Sequence, residues 1–128
     1  MTIALDTSSI LALIKNEPGA DTVLAALGDA VVCTANVAEV YSFFARNGLP
    51  RGVVDEFMAH RGLEIAPLSL AEAELAGSFV EFTRAAGLSL GDRCCLALAK
   101  LRGIVALTAD RPWLQFSEPL GVKIELIR

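Results

Sequence analysis

Short apolar runs alternate with amphipathic segments along the whole chain. Runs rich in Val, Ile, Leu and Ala that are too short for helices predict β-strands. We expect strands at residues 2–5, 30–33, 64–66, 104–108 and 122–127. The run at 104–108 is apolar on both faces, as expected when helices cover both sides of a sheet. The alternation of strands and helices therefore predicts an α/β domain with a mainly parallel central sheet.

Residues that favour helix ends lie between these strands. Ser, Thr, Asp and Asn favour helix starts, Pro suits the first positions and Gly favours the ends. On this basis we predict helices at residues 9–16, 18–27, 36–47, 50–61, 69–86 and 91–102, with a helical turn at 111–116. Pro18 would open its helix, and Asn36 would cap the next one, with Glu39 at the spacing of a capping box.

Acidic residues follow two of the predicted strands. Asp6 comes directly after the first strand, and Asp110 lies two residues beyond Thr108 at the end of the fourth. Either acid alone could simply cap the helix that follows. Because ligands bind beyond the carboxyl ends of parallel strands, two acids at this edge favour a functional site.

Asp92 interrupts an apolar stripe. It shares one helix face with Cys95, Leu96 and Ala99, at spacings of three, four and seven residues. A carboxylate in such a setting must be paired, protonated or bound to a metal ion. The alternative is an acid at a helix N-terminus, stabilised by the helix dipole.

Glu39 lies on the side of its helix opposite the predicted core face. That core face is formed by Val37, Val40, Tyr41 and Phe44. Phe43, one turn beyond Glu39, is apolar, which favours a partly covered cleft around the carboxylate.

The net charge of −4 points to these same four acids. Without Asp6, Glu39, Asp92 and Asp110, the remaining eleven acidic residues would equal the eleven basic ones. Clustered carboxylates repel one another, and a hard divalent cation relieves the repulsion. We therefore expect Mg²⁺ or Mn²⁺, an ion suited to hydrolysis of phosphodiesters.

The composition excludes several other classes of protein. A length of 128 residues predicts one domain, residues 1–128, and 54% hydrophobic residues exclude disorder. No apolar run is long enough to span a membrane, and the apolar start carries Asp6 and no basic segment, unlike a signal peptide. His60 is the only histidine, and Cys33, Cys94 and Cys95 lack the spacing of zinc ligands. We expect three reduced core thiols in a cytoplasmic protein.

Four segments in order carry a resemblance to a known family. They are Ile-Ala-Leu-Asp6-Thr-Ser-Ser, Ala-Asn-Val-Ala-Glu39-Val-Tyr, Leu-Ser-Leu-Gly-Asp92-Arg-Cys-Cys-Leu-Ala-Leu-Ala and Leu-Thr108-Ala-Asp110-Arg-Pro-Trp. Each motif alone is weak, but the ordered set resembles the PIN-domain ribonucleases. More narrowly, it resembles the VapC toxins of bacterial type II toxin–antitoxin systems. The resemblance spans nearly the whole chain.

The resemblance implies a fold, an activity and partners. The expected fold is a PIN-like three-layer α/β/α sandwich, and the expected activity is Mg²⁺- or Mn²⁺-dependent endonuclease cleavage of RNA. The partners expected from the family are an RNA substrate, a cognate antitoxin protein and a second copy of the chain in a homodimer. The expected location is the bacterial cytoplasm.

The resemblance also implies roles for individual residues. Asp6, Glu39, Asp92 and Asp110 would be the catalytic and metal-binding acids. Hydroxyl groups at Ser8 and Thr108 would support them. Arg93 and Arg111, which lie in the same segments, are candidate contacts for substrate phosphates.

Three alternative functions remain at this point. A PIN fold could be a catalytically silent binding module, although all four acids are present. A receiver-type phospho-acceptor domain would need a pair of acids after the first strand, where Asp6 stands alone, and an acceptor ending the third, whereas Asp55 falls in a helical pattern. A haloacid-dehalogenase-like phosphatase would need a second Asp at the position of Ser8.

Overall fold

The computed structural model describes residues 2–128, so Met1 of the predicted domain lies outside the described residues. A five-stranded sheet forms its centre, with strands β1 (Ile3–Leu5), β2 (Ala30–Cys33), β3 (Leu63–Ala66), β4 (Val105–Thr108) and β5 (Ile124–Leu126). The strand order is β3-β2-β1-β4-β5, and every neighbouring pair is parallel. The predicted parallel sheet is confirmed. The chain builds outward from β1 on both sides, which creates a switch point between β1 and β4 where ligands commonly bind.

Helices cover both faces of the sheet. They are α1 (Thr7–Ile14), α2 (Ala20–Ala26), α3 (Thr34–Arg46), α4 (Arg51–Met58), α5 (Leu70–Ser78), α6 (Val80–Thr83), α7 (Leu90–Arg102) and α8 (Ser117–Leu120). Short 3₁₀ turns lie at Leu27–Asp29, Arg84–Ala86 and Arg111–Phe116. Within residues 2–128, no helix combines the length and apolar character that a bilayer crossing requires.

Successive strand residues point to opposite faces and so divide the core in two. Ala4 and Val31 pack with residues of α5 and α7, and Leu5 and Val32 pack with residues of α1 to α4. All four of these side chains are buried. The three-layer α/β/α sandwich is therefore confirmed, and the three cysteines are free and buried in it, as expected.

The predicted start of the second helix is wrong. Pro18 does not open a helix, because α2 begins at Ala20 and Gly19 is its N-cap. Gly19 has a φ of 96°, and a Cβ there would lie 2.8 Å from the carbonyl oxygen of Ile127. Only glycine fits this close approach and this backbone conformation, so the helix starts after it.

The predicted cap of the third helix is also wrong. α3 begins at Thr34 with Cys33 as its N-cap, and Asn36 lies inside the helix, fully buried. Its side chain makes tertiary contacts instead of capping the helix. A long-range role has replaced a local one.

The helix predicted at 69–86 is interrupted after Ser78. The Ser78 hydroxyl donates to the Leu75 carbonyl at 2.7 Å, a competing bond of the kind that bends helices. Glu72 near its start is buried and forms a capping box with Ser69.

Candidate functional site

The carboxyl ends of β1 and β4 place Asp6 beside Thr108. Leu5 and Leu107 are partners in the parallel register, so the residues that follow them are neighbours at the edge of the sheet. The Asp6 N–H donates to the Leu107 carbonyl at 3.3 Å. Asp6 also caps α1 by accepting a 2.8 Å bond from the Ser9 N–H. Asp6 therefore both caps α1 and lies at the predicted edge of the sheet.

Hydroxyl groups surround the Asp6 carboxylate. Thr108 Oγ1 donates to Oδ2 at 2.6 Å, and Ser8 Oγ lies 2.9 Å from Oδ1 and 2.8 Å from Oδ2. Asp6 is only 2% exposed. Burial raises its pKa to about 6, against the opposing effect of the bonds from Thr108, Ser9 and Ser8. The ionised form of Asp6 is therefore costly at neutral pH.

The same two hydroxyls hold the loop that carries Asp110. Ser8 Oγ accepts from the Ala109 N–H at 2.9 Å, and Thr108 Oγ1 accepts from the Asp110 N–H at 3.0 Å. The two oxygens are 3.3 Å apart. The structure thus places Ser8 and Thr108 in direct contact with Asp6, and it joins Ser8 to the backbone of Ala109 and Thr108 to the backbone of Asp110.

Glu39 reaches the site from α3 and is half-buried. Its Oε1 accepts from Thr7 Oγ1 at 2.5 Å and from Asn36 Nδ2 at 3.3 Å. Its Oε2 accepts from Ser89 Oγ at 3.2 Å. These donors come from α1, α3 and the N-cap of α7, so three elements orient one carboxylate.

Asp92 lies in the first turn of α7. It forms a capping box with Ser89: the Asp92 N–H donates to Ser89 Oγ at 3.1 Å, and the Ser89 N–H donates to Asp92 Oδ2 at 2.9 Å. Burial raises the pKa of Asp92, and the negative charges of Glu39 and Asp110 raise it further. Asp92 is therefore an acid at a helix N-terminus, and it lies near enough to Glu39 and Asp110 for their charges to act on it.

Thr7, Asn36 and Ser89 are site residues that the sequence reasoning missed. Ser89 precedes Asp92 at capping-box spacing, a pattern that could have revealed its place. The sequence predicts a capping role for Asn36 and not a place in the site, and nothing local to Thr7 predicts its bond to Glu39, 32 residues away.

The donor set is chemically suited to a hard divalent cation, since all four acids offer carboxylate oxygens. Among residues 2–128, however, no three His, Cys, Asp or Glu side chains stand as a group that could hold a metal ion. The carboxylates of Asp6 and Glu39 are turned to hydroxyl donors instead. The raised pKa values of Asp6 and Asp92 mean that their ionised forms are destabilised, and a bound cation would stabilise those forms. Metal binding therefore stays a prediction.

The two candidate phosphate-binding arginines have different surroundings. Arg93 Nη1 donates to the Ala76 carbonyl on α5 at 3.0 Å, and its buried Nε has no hydrogen-bond partner. Arg111 is exposed, directly after Asp110, and Nη2 lies 3.4 Å from the Arg128 carbonyl oxygen. Arg111 is the freer of the two to meet a ligand at the edge of the sheet.

Comparisons with known proteins agree with this architecture. The sequence matches the PIN domain family over residues 3–118. No curated protein matches the sequence. Similar solved structures include DNA-bound VapBC from Salmonella typhimurium, with a TM-score of 0.75, 20% identity and coverage of 100% of this chain and 99% of that one. A toxin–antitoxin complex from Klebsiella pneumoniae has a TM-score of 0.74 at 19% identity, over 99% and 98% of the two chains.

A third similar structure is that of VapC20 from Mycobacterium tuberculosis, described as a toxin that cleaves the sarcin–ricin loop. It has a TM-score of 0.73 at 16% identity, over 89% of this chain and 94% of that one. At these identities the likeness concerns the fold.

Proposed function

This chain belongs to the PIN domain family, and we propose that it is a metal-dependent endoribonuclease acting as the toxin of a type II toxin–antitoxin pair. The observation that supports the proposal is the position of Asp6 and Asp110 after β1 and β4 at one edge of the sheet, with Asp92 near enough to Glu39 and Asp110 for their charges to raise its pKa. Thr108 Oγ1 hydrogen-bonds both the Asp6 carboxylate and the Asp110 N–H. Ser89 Oγ hydrogen-bonds both the Glu39 carboxylate and the Asp92 N–H. The similarity in fold to VapC20 and to the toxin–antitoxin complexes supports the same function.

The residues of this chain divide the work of cleavage. Asp6, Glu39, Asp92 and Asp110 would hold Mg²⁺ or Mn²⁺, which when bound polarises the phosphate and lowers the pKa of water. Ser8 and Thr108 would hold Asp6 by hydrogen bonds at the edge of the sheet where the ion would bind. Arg111 would contact a phosphate of the RNA, to which its guanidinium can donate two hydrogen bonds.

The proposal is tested by incubating the purified chain with RNA in the presence of Mg²⁺, Mn²⁺ or EDTA. We expect cleavage with either metal and none with EDTA. Asp6→Asn and Asp92→Asn should each abolish cleavage, whereas Asp21→Asn, an exposed change of equal charge on α2, should not. Cleavage that persists in EDTA, or in Asp92→Asn at near-normal rate, contradicts the assignment.

The same preparation discriminates the alternative functions. RNA binding without cleavage in any metal would indicate a silent binding module. Labelling by acetyl phosphate would indicate a phospho-acceptor domain, and hydrolysis of a small phosphomonoester would indicate a phosphatase.

The proposed partners are a cognate antitoxin and a second copy of the chain. Apolar side chains remain exposed on two of the helices that cover one face of the sheet: Leu24 on α2 is 58% exposed and Val53 on α4 is 41% exposed. Such positions can accept an amphipathic helix of a partner. Light scattering of the chain alone, and with the protein encoded next to it, tests both partners. A strict monomer that binds no such protein would contradict the toxin–antitoxin assignment and leave the nuclease assignment intact.

A further inference from the structure

The first turn of α7 has no side chain at the point where Glu39 meets it. Gly91 is buried there, and a Cβ built on it would fall well inside van der Waals distance of the carboxylate carbon and both carboxylate oxygens of Glu39. Real side chains do not approach so closely. The Glu39 carboxylate therefore occupies the space that any other residue at position 91 would fill.

The backbone does not itself require glycine at this position. Gly91 is not among the residues with positive φ, and it lies within the 13-residue helix α7. Glycine weakens a helix relative to alanine. Since the backbone does not need glycine at position 91, the contact with Glu39 is what excludes a larger residue there. Gly52 on α4 and Gly77 on α5 differ, since a Cβ on either would meet no atom within 4 Å.

Asn36 connects this contact to the rest of the site. It is 0% exposed, and its Nδ2 lies 3.3 Å from Glu39 Oε1 and 3.2 Å from the Gly91 carbonyl oxygen. It also lies 3.2 Å from Thr7 Oγ1, which itself donates to Glu39. Because all three neighbours can accept, the amide nitrogen must face them. Asn36 thus joins the Glu39 carboxylate to the peptide that immediately precedes Asp92.

We infer that Gly91 and Asn36 are positioning residues that seat the Glu39 carboxylate against the first turn of α7, at a fixed place beside Asp92. Gly91 leaves the space, and Asn36 holds the carboxylate in it. The consequence for catalysis rests on the proposed nuclease function, but the seat itself is a property of the folded chain and is tested separately.

Thermal unfolding in EDTA tests the seat without reference to activity. Gly91→Ala is made in two backgrounds, one with Glu39 and one with Glu39→Ala, and Gly77→Ala is the matched control. In the Glu39→Ala background, as in the control, alanine should raise the Tm by about 3 °C through helix propensity. With Glu39 present, we expect no gain or a decrease, because the displaced carboxylate loses the hydrogen bonds that it accepts from Thr7, Asn36 and Ser89. The same rise in both backgrounds would overturn the inference.

Cleavage kinetics then test the effect on the site. Gly91→Ala should lower kcat by roughly tenfold to a hundredfold with little change in KM, as expected for a misplaced reacting group. In a Glu39→Asp background, whose shorter side chain withdraws the carboxylate from position 91, Gly91→Ala should cause no further loss. A further loss as large as in the wild type would overturn the positioning role. If the chain cuts no RNA at all, the proposed function fails, while the thermal cycle still decides whether the seat exists.

Discussion

Replacing Asp6 with Asn removes a buried negative charge and keeps the shape of the side chain. The amide oxygen can still accept from the Ser9 N–H and from Ser8 Oγ. The amide nitrogen, in the place of Oδ2, can donate to Thr108 Oγ1, which then turns its own hydrogen to Ser8 Oγ, 3.3 Å away. Every polar group near position 6 keeps a partner, so the change isolates the effect of the charge.

The magnitude follows from the pKa of Asp6. The carboxyl titrates at about 6 in the folded chain, against its ordinary value of 3.8. A tenfold change in a proton equilibrium is worth about 1.4 kcal/mol, so ionised Asp6 destabilises the fold by about 3 kcal/mol. Because the folded pKa is the higher one, its contribution to stability is fully present below pH 3.8. It is lost as the pH rises through 6. Asn does not titrate, so the advantage of the variant should grow from near zero at pH 4 to about 3 kcal/mol at pH 7.5.

Urea unfolding in EDTA measures this difference, with fluorescence of the buried Trp113, the only tryptophan, as the probe. We expect the free energy of unfolding of Asp6→Asn to exceed that of the wild type by about 3 kcal/mol at pH 7.5, which corresponds to a Tm roughly 10 °C higher. Asp21→Asn should show no such pH-dependent gain. If Asp6→Asn and the wild type differ in free energy of unfolding by the same amount at pH 4 and pH 7.5, or if the variant gains nothing at pH 7.5, burial does not destabilise ionised Asp6 as argued. Added Mg²⁺ should stabilise the wild type more than the variant, since only the wild type offers a carboxylate at position 6.

Three further predictions concern neighbouring residues. Asp92→Asn should abolish cleavage yet raise the Tm of the metal-free chain, because burial and the nearby acids raise the pKa of Asp92; a lower Tm would contradict this account. Arg111→Ala should weaken RNA binding in titrations and reduce the slope of log affinity against log salt by about one. Arg93→Ala should mainly lower the Tm. The opposite result would assign phosphate binding to Arg93 and a structural role to Arg111. Thr108→Val removes a donor that lowers the pKa of Asp6, so the acidic limb of the pH–rate profile should move to higher pH. If the limb does not move, the titration of Asp6 does not determine it.

The elements of the fold could be read largely from the sequence because their causes are local. Apolar runs defined the strands, and β2 and the 3₁₀ turn at Arg111–Phe116 occur at the predicted residues. Asp6 and Asp110 could be assigned to one edge, since the carboxyl ends of parallel strands meet there. The stripe shared by Asp92 and Cys95 follows from helical periodicity alone.

The errors arise where distant parts of the chain meet. Gly19 is needed because Ile127, more than a hundred residues later, passes against it, so Pro18 could not open the helix. Asn36 resembles a cap in the sequence, but its amide is used by Thr7, Glu39 and Gly91. No periodicity encodes such contacts.

The sequence by itself determined which carboxylates this protein carries and which strands and helices bear them. Only the tertiary structure decided the burial, the hydrogen-bond partners and the pKa of each carboxylate. The raised pKa of Asp6 depends on how completely the surrounding layers exclude water, and the orientation of Glu39 depends on donors from three separate elements. Propensity and periodicity act over a few residues, whereas desolvation and hydrogen bonding act through space between segments that only folding brings together.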